Sequence, residues 1–231
     1  MIGHALAFTP TPATRRAWDR AISIGFAIGS ACFIIGPAPG FVQLVGVGAD
    51  AAVFFAGSVF FTFAAALELR EATVRRGRRW GGDASWWSAS SQFAGTLLFN
   101  VSTFDAMQDG LSAGQEDRLV WTPDLFGSVC FLVSGVLAYR VAATVRRAAA
   151  RPVSLRRDRD STMAAVNLLG CVLFMISALA AFVVPDTGSI LDLAAANWTT
   201  SLGAVCFLIG AIMAYPRERA ARVADGRDAG I

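Results

Sequence analysis

Six apolar stretches restrict this chain more than any other feature: Trp18–Gly36, Ala49–Leu69, Trp86–Phe104, Leu125–Val145, Met163–Val184 and Ala194–Tyr215. Each meets or approaches the roughly 20 residues that a helix needs to cross a hydrocarbon core. A soluble bundle would require a polar face on every helix, and these runs are apolar almost all the way round. Hydrophobic residues make up 55% and charged ones 16%, with a mean hydropathy of +0.53, which is too apolar for an ordinary soluble domain. Backbone groups in lipid must be bonded within the chain, so helices are the natural solution. The expected fold is all-α, a polytopic membrane bundle of six transmembrane helices. They group as three hairpins, 18–69, 86–145 and 163–216, between an N-terminal segment 1–17 and a tail 217–231.

The arginines orient the bundle. Arg15, Arg16 and Arg20 precede the first run, and Arg70, Arg75, Arg76, Arg78 and Arg79 follow the second. Seven more, Arg140, Arg146, Arg147, Arg151, Arg156, Arg157 and Arg159, lie between the fourth and fifth, and Arg217, Arg219, Arg222 and Arg227 fill the tail. The intervening connections hold Arg118 alone, so alternate connections carry 19 of the 20 arginines. Basic loops stay in the cytoplasm, which predicts an inner (plasma) membrane protein with both termini cytoplasmic. The absence of lysine reads as a coding bias of a GC-rich bacterium. Arg15-Arg16 before an apolar run resembles an export signal. Trp18-Asp19-Arg20 interrupts that pattern and Pro37-Ala38-Pro39 is a poor cleavage site, so the first run is read as a retained helix.

A repeat runs through all six stretches. GSVCFLVSGVLAY (Gly127 to Tyr139) returns as GAVCFLIGAIMAY (Gly203 to Tyr215), identical at seven of thirteen positions. Its reduced form is Gly-x-x-x-Phe with a small residue three places on. It occurs at Gly29-Phe33, Gly57-Phe61, Gly95-Phe99, Gly127-Phe131, Gly170-Phe174 and Gly203-Phe207. Self-similarity at a fixed unit indicates duplication. Positions i, i+4 and i+7 share a narrow helical stripe, and small residues let helices approach closely in lipid. These stripes are expected to hold a tight bundle, the phenylalanine of one helix filling the space beside a neighbour's glycine. The alternative is a conduit that the stripes line.

Candidate polar contacts inside the spans are few. Gln92 and Asn167 sit three residues before their motif glycines, near the stripe in the cytoplasmic half, and suit interhelical amide hydrogen bonds worth about 1 kcal/mol each. Contact with a substrate is the other reading. Asn100 lies deep in the third span and needs a partner there. Glu68 and Asp50 fall near the ends of the second span, within reach of water. No charge occupies the middle of any span, where proton relays and ion paths place them. Cys32, Cys130, Cys171 and Cys206 are expected as small apolar packing residues rather than metal ligands. His4, the single histidine, gives little support to acid–base or metal chemistry. No metal, cofactor or catalytic residue is expected, and charge asymmetry of this kind is ordinary for membrane proteins rather than a sign of nucleic-acid binding.

The Gly127–Tyr139 and Gly203–Tyr215 helices resemble the YrhK-like family of small bacterial membrane proteins. What carries the resemblance is an apolar hairpin whose second helix reads Gly-x-x-x-Phe-Leu-x-Gly/Ser and ends in basic residues, here GAVCFLIGAIMAYPRER after Trp198. The resemblance implies a two-helix membrane module, present three times here, and carries no catalytic or ligand residue. The expected function is a non-enzymatic structural or accessory membrane component. Its partners would be anionic lipid at the arginine loops and another membrane protein or a second copy. A small-solute or ion transporter is the alternative, since duplicated hairpins can enclose a path.

Overall fold

The computed structural model describes residues 11–77, 83–148 and 155–216, with the side chains of 155–157 left aside. His4, Arg78, Arg79, Arg151, most of the N-terminal segment and the tail arginines from Arg217 onward lie outside the described residues, as do the side chains of Arg156 and Arg157.

Six long helices account for most of the chain. They are α1 (Pro12–Ile35), α3 (Val47–Arg76), α4 (Ala84–Asp105), α6 (Thr122–Ala148), α7 (Leu155–Ala180) and α8 (Leu193–Ala214). Two short helices, α2 (Phe41–Val45) and α5 (Ala113–Gln115), sit in connections, and a π-helical turn at Glu116–Trp121 leads straight into α6. Local chemistry sets the starts. The Thr11 hydroxyl accepts from the Thr14 N–H ahead of Pro12, Asp83 accepts from Trp86 at 2.8 Å, and Asp192 accepts from Ala195 at 2.9 Å. Each satisfies an N–H that the first helical turn leaves without a partner. α3 stops at Gly77, whose φ of +62° suits glycine.

Five helical segments are long and apolar enough to cross a membrane: Pro12–Ile35, Val47–Arg76, Ala113–Ala148, Asp158–Ala180 and Leu193–Ala214. The sixth helix, α4, falls short by composition, because Gln92, Asn100 and a series of serines and threonines dilute its apolar residues. A second departure concerns the fifth run, expected to Val184. α7 ends at Ala180, and Val183–Val184 forms β1, paired antiparallel with β2 (Ser189–Ile190). The turn Pro185-Asp186-Thr187-Gly188 explains the early stop. Proline cannot donate to a continuing helix, and Gly188 takes a φ of +64°.

The six long helices form a closed ring. Each packs on the next in chain order, α1–α3–α4–α6–α7–α8, and α8 packs back on α1. Antiparallel neighbours meet through their motif glycines. A Cβ on Gly29 would stand 2.9 Å from both the Gly57 carbonyl oxygen and the Phe61 ring, and one on Gly57 would stand 2.9 Å from Phe33. Gly95 and Gly127 stand in the same relation to Phe131 and Phe99, and Gly170 and Gly203 to Phe207 and Phe174. The same reciprocal contact therefore closes three helix pairs, with each phenylalanine over the opposite glycine.

The six phenylalanines fill the centre of the ring, each 2% to 9% exposed. They form two layers. Phe61, Phe131 and Phe207 touch one another with ring centroids 5.8 to 6.4 Å apart. Phe174 lies 5.8 Å from Phe33 and 5.9 Å from Phe99 in the other layer. Contacts of 5.0 to 5.6 Å join the layers within each helix pair. Tilted and edge-on geometry dominates, as aromatic quadrupoles prefer.

Candidate functional site

At the arginine-rich end of the ring the packing stops and a cavity of about 480 Å³ opens. Its floor is the layer of Phe61, Phe131 and Phe207. Its walls follow from the helical repeat. Seven residues bring a helix back to nearly the same face, with a drift of about 20°. One heptad from the six motif phenylalanines, toward this end, stand Phe26, Glu68, Gln92, Ala138, Asn167 and Ala214. All six line the cavity. A second heptad adds Arg75, Ser85, Val145 and Asp160 nearer the mouth. Two alanines, two amides and a carboxylate cannot fill the volume that six phenylalanines fill below them, and the hollow results.

Gln92 and Asn167 thus share one cavity. The Gln92 side-chain oxygen accepts from the Ser134 hydroxyl at 3.2 Å, while Ser88 reaches the Ser134 carbonyl oxygen at 3.0 Å. These contacts join α4 to α6. The Asn167 amide lies against Gly210 of α8, where any side chain would collide with it, and it has no hydrogen bond among the described residues. Ser23 of α1 also faces the cavity. The residue is 2% exposed, and its hydroxyl has no partner among the described residues.

Charge is concentrated at the mouth. Glu68 and Asp160 line the wall and neither carries an ion pair among the described residues, whereas Arg75 donates to Glu71 on its own helix at 3.2 Å. Three other described arginines of this end are held elsewhere. Arg70 lies 4.5 Å over the Trp18 ring, Arg76 lies 4.6 Å over Trp86, and Arg159 donates to the Met213 carbonyl oxygen.

Asn100 stands apart from the cavity. It belongs to the α3–α4 seam, where its Nδ2 donates to Thr62 at 2.8 Å and Ser58 meets Thr103 at 2.9 Å. Its Oδ1 is buried and has no partner among the described residues. The four cysteines are free thiols on separate helices; Cys171 abuts Gly135, and Cys32 abuts Gly57. Ser23, Glu68, Ser88, Ser134 and Asp160 were not among the residues singled out for contact with a ligand. The signal that finds two of them, Glu68 and Asp160, is the heptad counted outward from the motif: Phe61 to Glu68, and Phe174 through Asn167 to Asp160. No family model, curated protein or solved structure matches the chain.

Proposed function

We propose that all six long helices cross a bacterial inner membrane, as three duplicated hairpins with both termini in the cytoplasm. On this reading the chain is a non-enzymatic structural or accessory component of that membrane. The single observation that carries it is the pair of phenylalanine layers, which closes the ring across its full width. α4 joins the spanning set because its neighbours on both sides, α3 and α6, belong to apolar segments long enough to cross. Its polar groups turn to α3 and α6, as Asn100, Ser88 and Ser91 do. The resemblance to YrhK-like hairpins agrees with a modular origin. The arginine loops rest on anionic headgroups at about 1 kcal/mol per residue near the surface, and the lipid-facing ring surface is available to a second copy or another membrane protein.

Transport is the second reading, and the vestibule favours it, since a hollow open at one end and closed by aromatic rings matches one half of a path. Proteoliposome flux separates the two. A ring that only supports a partner gives no solute or ion flux above empty vesicles, and a transporter gives saturable flux. Reporter fusions at the two termini test the topology; both are expected on the cytoplasmic side, and opposite sides would end the six-span reading.

A further inference from the structure

We propose that the vestibule is a binding site for a small organic cation with an apolar body, such as a protonated amine or a quaternary ammonium. The proposal takes up the same cavity and rests on the membrane reading above, in which its mouth faces the cytoplasm.

The lining selects the charge. Glu68 and Asp160 are carboxylates without an ion pair among the described residues, and Arg75, the one arginine that the described residues place on the wall, is drawn to Glu71. Arg70, Arg76 and Arg159 are engaged with aromatic rings or a backbone carbonyl. Among the described residues the wall thus carries two carboxylates against one arginine, a balance of acidic over basic groups that favours a cation. The floor suits the rest of such a molecule, because Phe61, Phe131 and Phe207 give an apolar body a seat. Glu68 stands one heptad above Phe61 on the same stripe, about 10.5 Å along the helix axis. A molecule spanning that distance would set an apolar end on the rings and a charged nitrogen beside the carboxylate.

The uncommitted polar groups point the same way. A buried hydroxyl without a partner is costly, and Ser23, a residue of the cavity wall, carries one with no partner among the described residues. Among the described residues Asn167 is likewise unbonded, and Gln92 uses only its oxygen. These groups offer hydrogen bonds to a ligand that the helices do not consume.

The α1–α8 seam suggests how an amphipathic molecule enters. A second, shallower hollow of about 280 Å³ lies along that seam against Ser23, Ile24, Ala27, Ala211, Ile212 and Tyr215. Ser23 and Ala211 belong to both hollows. The wall there is one residue thick, so a parting of α1 from α8 would join the two hollows. Such an opening would admit a cation with an apolar body from the lipid-facing side and would offer nothing to a fully hydrated inorganic ion.

The test uses the full chain in phosphatidylcholine nanodiscs and two radiolabelled ions of equal shape and opposite charge, tetraphenylphosphonium and tetraphenylborate. Saturable binding of the phosphonium above empty discs, with none of the borate, is expected. Glu68→Gln should weaken it about tenfold, a loss of one substantial charge contact, and Ala138→Phe should abolish it by filling the hollow. Asp160→Asn, at the exposed mouth, gives a second charge variant if Glu68→Gln does not fold, and should weaken binding by a smaller factor. Equal binding of both ions, binding no greater than in empty discs, or undiminished binding in the folded charge variants would overturn the proposal. Recovery of the chain as a soluble protein without detergent would instead sink the membrane reading, so the two failures are distinguishable.

Discussion

The two ends of the same six helices behave differently although one stripe runs through both. At the motif level the stripe carries phenylalanine on every helix, and the ring is filled. One heptad toward the arginine-rich end it carries Phe26, Glu68, Gln92, Ala138, Asn167 and Ala214, and the ring is hollow. Backbone geometry does not explain the difference, because the helices run uninterrupted through both levels. Side-chain volume does. The contrast teaches that the repeat specifies closure, while the residues one heptad away, which differ between helices, specify what the opening can hold.

The largest expected effect comes from breaking the filled level. Phe131 is 2% exposed and touches the rings of Phe61, Phe99, Phe174 and Phe207. Phe131→Ala is expected to cost about 3–5 kcal/mol, as other buried phenylalanine truncations do, read as a lower melting temperature in detergent. It should also extend the vestibule into the centre of the ring. An unchanged melting temperature would mean that the rings do not hold the ring of helices together.

Overpacking the same level comes next. A Cβ at Gly203 would stand 2.5 Å from the Phe174 ring, whereas one at Gly127 meets nothing closer than 3.2 Å. Gly203→Leu should therefore lose about 1–3 kcal/mol, and Gly127→Leu less. Melting curves that reverse this order, or that match wild type for both, would remove the packing role from the glycines.

How much of this was legible in the sequence follows from the same stripe. The Gly-x-x-x-Phe spacing made the glycine–phenylalanine approach a reasonable expectation, because it depends only on helical geometry and on small residues at close contacts. The hollow was not legible as a pattern. Glu68, Ala138 and Asn167 share no residue type, and only their common distance from the motif unites them. Gln92 and Asn167 stood out because amides are conspicuous in apolar runs, but nothing in one dimension placed them across a cavity from each other. Glu68 read as a helix-end residue with access to water. Its wetting by an internal vestibule depends on where the neighbouring helices stop filling the centre. α4 illustrates the converse case. Its serines, Gln92 and Asn100 lower its apolar character, and their partners on α3 and α6 become visible only once the helices are side by side. The early end of α7 depended on a pairing between Val183–Val184 and Ser189–Ile190, too short to leave a strand pattern.

Between the two levels in expected effect lies the α3–α4 seam. Asn100 makes one interhelical hydrogen bond, to Thr62 at 2.8 Å, and leaves its other amide atom without a partner. Interhelical hydrogen bonds in membranes average about 0.6 kcal/mol. Asn100→Ala should cost about that amount beyond the loss of side-chain volume. A double-mutant cycle with Thr62→Val isolates the shared term. Zero coupling would place the role of Asn100 outside this seam.

The smallest expected effect lies at the hollow level. Ala138 sits one heptad from Phe131 on the same helix and lines the vestibule rather than a packed core. In a filled interior an added side chain forces neighbours off their rotamers at about 1–3 kcal/mol. Where the added atoms enter open volume no neighbour has to move, and the change should stay within about 0.5 kcal/mol, as at sites free of packing constraints. Ala138→Leu is therefore expected to melt with wild type while Gly203→Leu does not, although both add branched aliphatic bulk to the ring interior. A large destabilisation by Ala138→Leu would show that the two levels are packed alike in solution. Matching melting temperatures, with the phosphonium displaced, would establish that the hollow exists and that its contents contribute little to holding the helices together. The stability of the ring would then reside in its phenylalanine level alone, leaving the residues one heptad away free to vary with the ligand.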